Sequence, residues 1–138
     1  MSTQPTHDDG FDRRVLVVED DADMRALVAA TMRAEGYAVD EAIDGGHALM
    51  NITASRIPGH VGYDLVLSDV RMPVMTGVEL ATRLDRMGYD VPMLLMSAFA
   101  DAALHEQARK LGLGMLVKPF DLDDLRAAVT NVLDHAGK

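Results

Sequence analysis

The chain has 138 residues, with 22 acidic and 13 basic side chains, a formal charge of -9 and no cysteine. That length holds one domain that buries roughly two-thirds of its unfolded surface, and 49% apolar residues is too many for a disordered chain. The acid surplus argues against nucleic acid or an anionic membrane as a partner; the lack of cysteine removes disulfides, thiolate metal clusters and Cys nucleophiles.

Residues 1–12 read as a flexible polar tail, in which Pro5, His7, Asp8, Asp9 and Gly10 offer nothing to pack. They lack the basic stretch and apolar core of a signal peptide. The apolar runs fall far short of the roughly 20 residues of a membrane span, so a soluble cytoplasmic protein is expected. The first run, Val15–Val18, is short and unbroken, as suits a strand buried on both faces. Met24, Leu27, Val28 and Thr31 follow at helical spacing, with Gly36 where a left-handed C-terminal residue is expected. Tyr37 to Ala42 is a weaker strand candidate. Ser55 to Gly62, carrying Pro58 and Gly59, reads as a longer surface loop. Leu65–Leu67 is the next strand, and Leu80, Ala81, Leu84 and Met87 form a stripe closed by Gly88. Met93–Met96 is a strand; Leu104, Ala108 and Leu111 form a shorter stripe closed by Gly112. Met115–Val117 is the last strand. Leu122, Leu125, Val129, Val132 and Leu133 then give the clearest stripe, with Asp121 placed to cap it. Five strand candidates alternate with helical segments, which predicts an α/β fold with a parallel sheet and helices on both faces.

In such a sheet all strands end at one edge, and ligands bind beyond it. Glu19, Asp20 and Asp21 follow the first run, Ser68 and Asp69 the third, Ser97 the fourth and Lys118 the fifth. Crowded carboxylates raise pKa values or demand a cation. Oxygen ligands with room for water and phosphate suit Mg²⁺. Lys118 is one of only three lysines, and an ammonium and a hydroxyl both serve phosphoryl oxygens. Together these are the parts of a phosphoryl-transfer site.

Four stretches carry a family resemblance: Val15 to Asp21, Asp64 to Pro73, Met93 to Ala98, and Val117 to Phe120. In their order and spacing the chain resembles a receiver domain of two-component response regulators, of the single-domain, chemotaxis-regulator-like kind. The resemblance covers about Arg13 to His135, with residues 13–136 as the receiver domain. It implies a flavodoxin-like, doubly wound, five-stranded parallel sheet with five helices and strand order 2-1-3-4-5. It implies Asp69 as phospho-acceptor, Glu19 and Asp20 as the acidic pair that holds Mg²⁺ (or Mn²⁺) with Asp69, and the Arg71 backbone carbonyl as a further ligand. Ser97 matches the hydroxyl that moves to the phosphoryl group, Lys118 the lysine that pairs with it, and Lys118-Pro119 a cis peptide.

The implied activity is that of a phosphoryl acceptor and switch, self-catalysed in both directions, and not a turnover enzyme. The phosphoryl donor is a histidine kinase or histidine phosphotransfer protein. An output protein would dock on the face at residues 101–133, and the chain would be a monomer or a phosphorylation-dependent dimer. No output domain fits between His135 and Lys138, so action through a partner surface or a relay is expected. Asp21 lies one place past the acidic pair and receives no direct role, being explained as an acid at the start of the next helix. Met115 stands where many receivers have an aromatic residue, and reads as packing. The Arg71 side chain reads either as a solvated arginine or as a partner of the carboxylates or phosphate. His7, His47, His60, His105 and His135 lack metal-ligand spacing and receive no role. A Mg²⁺-dependent aspartyl-phosphate phosphatase would need an aspartate two positions past Asp69, where Arg71 stands. A receiver-like module that no longer uses phosphate would not need the intact set Glu19, Asp20, Asp69, Ser97 and Lys118.

Overall fold

The computed structural model describes residues 13–59, 62–98 and 102–136; the tail expected at residues 1–12 lies outside them. Strand β1 (Arg14–Val18) leads to helix α1 (Ala22–Ala34), β2 (Ala38–Ala42) to α2 (Gly45–Ser55), and β3 (Leu65–Asp69) to α3 (Gly77–Arg86). Then β4 (Met93–Ala98) leads to α4 (Ala102–Lys110), and β5 (Gly114–Lys118) to α5 (Leu122–Ala136). The strands form one sheet in the order β2-β1-β3-β4-β5, with every pairing parallel. The order reverses between β1 and β3, so their carboxyl ends meet at the switch point where such sheets open a crevice.

Successive strand residues point to opposite faces, and two cores follow from that alternation. Val15, Val17, Leu65, Leu67, Leu94 and Met96 pack with Val28 and Met32 of α1 and Leu125, Val129 and Leu133 of α5. Leu16, Val18, Val66 and Leu95 pack with Ala48 and Ile52 of α2, Leu80 and Leu84 of α3, and Ala108 of α4. The three central strands are buried on both faces, as their unbroken apolar runs predict. The fifth run is different. β5 is an edge strand, only partly buried, with Val117 exposed. Its outer side has no neighbour in the sheet to cover it.

The starts of α1, α2, α3 and α5 are capped by polar side chains, which satisfy otherwise unpaired N–H groups. Asp21 accepts from Met24 N at 3.0 Å, and Asp44 accepts from His47 N at 2.8 Å. Thr76 and Glu79 form a reciprocal capping box on α3. Asp121 accepts from Asp124 N at 2.8 Å while Asp124 accepts from Asp121 N at 3.2 Å. Gly36, Gly88 and Gly112 all take positive φ just past helix ends, as expected. Three expectations are corrected. Leu27 is 48% exposed, because α1 turns Val28, Ala29 and Met32 to the sheet instead. Leu111 lies beyond α4 and is also exposed, since the chain has already turned there. Ser55 belongs to α2, where its hydroxyl donates to Ile52 O at 2.7 Å; the loop starts at Arg56.

Candidate functional site

The polar residues read as following the strands stand partly within them. Ser68 and Asp69 are the last two residues of β3, Ser97 lies inside β4, and Lys118 ends β5. This placement buries them: Asp69 is 8% exposed, and Ser97 and Glu19 are 1% exposed.

Glu19 extends β1 by one residue, its N–H donating to Ala42 O at 3.0 Å. Arg25 of α1 donates from its guanidinium to Glu19 O at 2.8 Å and pairs with Glu41 at 3.4 Å. The backbone of Glu19 is thus held from two sides. Its Oε2 accepts from Asp21 N at 3.1 Å, while Oε1 is buried without a hydrogen-bond partner among the described residues. Burial pushes this carboxyl up to about 7; the Asp21 N–H pulls the other way, the Asp69 charge adds to the rise and Lys118 opposes it.

Asp69 is set by a close approach of backbone. Val70 N donates to Met96 O at 2.9 Å, and Gly77 N donates to Val70 O at 2.8 Å. A Cβ on Gly77 would fall 2.7 Å from Asp69 O, so α3 begins against the end of β3 only because residue 77 has no side chain. The intervening turn includes the exposed Arg71 and Val74, which holds a φ of 73°, an uncommon conformation for a β-branched residue.

Lys118 reaches across from β5. Its Nζ lies 3.2 Å from Asp69 Oδ2 and 3.8 Å from Glu19 Oε1. The Lys118-Pro119 peptide is cis, as the resemblance implied. Carboxylate oxygens of Glu19, Asp20 and Asp69 lie within 4.8 Å of one another, with Asp20 the exposed member. Three acidic side chains stand beside the Lys118 ammonium here, and one buried oxygen has no donor among the described residues. A hard cation suits that donor set. The structure therefore brings Glu19, Asp20, Asp69 and Lys118 together. Asp21 stays out of the cluster as the cap of α1. Met115 packs against the core on the α2, α3 and α4 side, as its packing reading has it.

Ser97 stands on the strand next to β3, but its hydroxyl bonds elsewhere. Oγ donates to Ala98 O at 3.2 Å and lies 2.9 Å from His105 Nε2. Sequence reasoning missed His105 and Arg25. His105 sits between Leu104 and the buried Ala108 on α4, and that helical register was the one available signal.

Comparison with known proteins bears on this geometry. A family model described as response regulator receiver domain matches residues 15–130. The chain is 39% identical over 127 residues to the transcriptional regulatory protein PrrA of Mycobacterium leprae, covering 90% of this chain and 51% of that protein. It is 31% identical over 124 residues to sporulation initiation phosphotransferase F of Bacillus subtilis, covering 89% of this chain and 95% of that one. It thus spans about half of the first relative and nearly all of the second. The solved chemotaxis protein CheY4 of Vibrio cholerae matches with a TM-score of 0.75 at 32% identity, covering 88% of this chain and 99% of that chain.

Proposed function

The chain belongs to the response regulator receiver domain family, whose members accept a phosphoryl group in two-component signalling, and from that premise we propose that Asp69 is the acceptor. The carrying observation is the convergence on Asp69: Lys118 Nζ at 3.2 Å, beside a buried carboxylate oxygen of Glu19 that has no donor. Residues 13–136 act as the receiver domain. Its phosphoryl group comes from a histidine kinase or a histidine phosphotransfer protein.

An Asp69 carboxylate oxygen attacks the phosphorus of a phosphohistidine. The P–N bond breaks, its electron pair leaves with the imidazole, and an acyl phosphate remains on Asp69. Lys118 holds the Asp69 carboxylate aligned before the attack, and pairs with phosphoryl oxygens after it. The Ser97 hydroxyl donates to a phosphoryl oxygen in the product. Glu19, Asp20, Asp69 and the Arg71 carbonyl would hold Mg²⁺, or Mn²⁺ in its place. Bound there, the cation offsets charge between the carboxylates and the phosphoryl oxygens. Water later attacks phosphorus, the P–O bond to Asp69 breaks with its electron pair returning to the carboxylate, and inorganic phosphate leaves.

Phosphorylation adds about -1.5 to -2 charge at a site that is already acidic. The response is a shift between two populated states. The readout face is residues 101–133, where an output protein docks. The protein works in the cytoplasm, as a monomer or as a dimer formed on phosphorylation.

The test is incubation with acetyl phosphate and Mg²⁺ followed by intact mass. Wild type gains one phosphoryl group, a chelator suppresses the gain, and Asp69→Asn shows none. An unmodified wild type, or a gain that survives in Asp69→Asn, overturns the assignment.

A further inference from the structure

We propose that His105 is a positioning residue that holds the Ser97 hydroxyl in its resting arrangement and passes that hydroxyl's movement to α4. The inference rests on Asp69 being the acceptor.

A serine hydroxyl has one proton to donate and two lone pairs to accept with. In this structure Ser97 Oγ lies 3.2 Å from Ala98 O and 2.9 Å from His105 Nε2. Ser97 itself is 1% exposed, while its partners Ala98 and His105 are exposed and half-buried. To donate to a phosphoryl oxygen on Asp69, the hydroxyl must release its present acceptor. Its one proton now goes to Ala98 O, with His105 Nε2 then the donor to Oγ, so the His105 contact is broken or re-formed as Oγ itself moves toward Asp69.

The position of His105 gives that event a consequence. Of α4, only Ala108 is fully buried, with Leu104 partly so. A helix with so few buried contacts is the kind that moves at low cost. The bond from His105 to Ser97 is thus one of the ties between α4 and the sheet beside the site. The β5 position that would carry an aromatic reporter of the hydroxyl holds Met115, a side chain without a ring or a strong hydrogen-bonding group. The imidazole of His105 supplies a polar, planar contact to the same hydroxyl from α4 instead.

The bond opposes the active arrangement, so removing it favours phosphorylation. One hydrogen bond of this kind is worth about 2- to 10-fold in an equilibrium. His105→Phe keeps a ring and removes the bond; His105→Gln keeps a polar group that can replace it. With acetyl phosphate as donor, His105→Phe is expected to phosphorylate about 2- to 10-fold faster than wild type, and His105→Gln to stay close to wild type. In wild type labelled with ¹⁵N-histidine, the His105 ring nitrogens are expected to shift on phosphorylation. Ser97→Ala should produce that shift without a phosphoryl group. Mass spectrometry of the same samples separates the two claims. Full phosphorylation with an unmoved His105 signal, or equal behaviour of the Phe and Gln variants, overturns the positioning role alone. A wild type that gains no phosphoryl group removes the premise, and the proposal falls with it.

Discussion

Glu19 shows how a single carboxylate ties the fold to the function. It is buried, it has one oxygen without a donor, and its carboxyl is pushed up to about 7 from 4.5. The folded state therefore holds this proton more tightly than the unfolded chain does. The group contributes stability that is full below about 4.5 and lost as pH rises through about 7. Thermal melts of the metal-free protein should show stability falling across that window. Glu19→Gln should flatten that fall and raise neutral-pH stability by on the order of 2 kcal/mol. A slope unchanged in Glu19→Gln would contradict the assignment of this cost to Glu19. Glu19, Asp69, Ser97 and Lys118 were legible in the sequence because each stands at the end of an apolar run, and parallel strands bring those ends to one edge. His105 was not legible, because its helical register beside Leu104 and Ala108 does not by itself point to a partner. Its meaning depends on which residue of β4 the helix packs over. Arg25 was hidden for the same reason: its clamp on Glu19 O is a contact across elements and not a pattern within one.

The elements differ in how well apolar patterning describes them. β1, β3 and β4 are buried on both faces and read directly as unbroken runs. β2 and β5 lie at the sheet edges, where one side lacks a neighbour and the pattern weakens. In α1 Val28 and Thr31 of the expected stripe are buried and Leu27 alone is exposed, and on α4 Leu111 falls past the helix end, since side-chain spacing alone does not fix which flank meets the sheet. The junction of β3 and α3 depends on Gly77 in a way helix propensity would misjudge. Alanine is favoured over glycine in a helix by about 1 kcal/mol. Here a Cβ would meet Asp69 O at 2.7 Å, and that neighbour is backbone at the acceptor itself. Relieving such a clash costs about 1–3 kcal/mol. Gly77→Ala is thus expected to lower stability in urea unfolding and to slow phosphorylation by acetyl phosphate by displacing Asp69. Equal or greater stability with an unchanged rate would show that the junction yields freely.

Across the whole molecule, the charge of -9 is not spread evenly. Asp21, Asp44 and Asp121 serve as helix caps, and Glu41 pairs with both Arg25 and Arg33. Glu19, Asp20 and Asp69 are different, since the sheet topology concentrates them at its switch point with Lys118 beside them. The acid surplus that first served to exclude basic partners therefore includes a local site with a strong demand for a cation. The same topology separates the two helical faces, α1 and α5 on one side and α2, α3 and α4 on the other. A change at the switch point is adjacent to both. The central claim is that the phosphoryl group resides on Asp69 as an acyl phosphate. It is tested most directly by reducing the phosphorylated protein with borohydride, which converts a phosphoaspartate to homoserine, and sequencing the peptides by mass spectrometry. The account predicts homoserine at position 69 and at no other aspartate. Homoserine elsewhere, or a phosphoryl group on a side chain that borohydride leaves untouched, would contradict it.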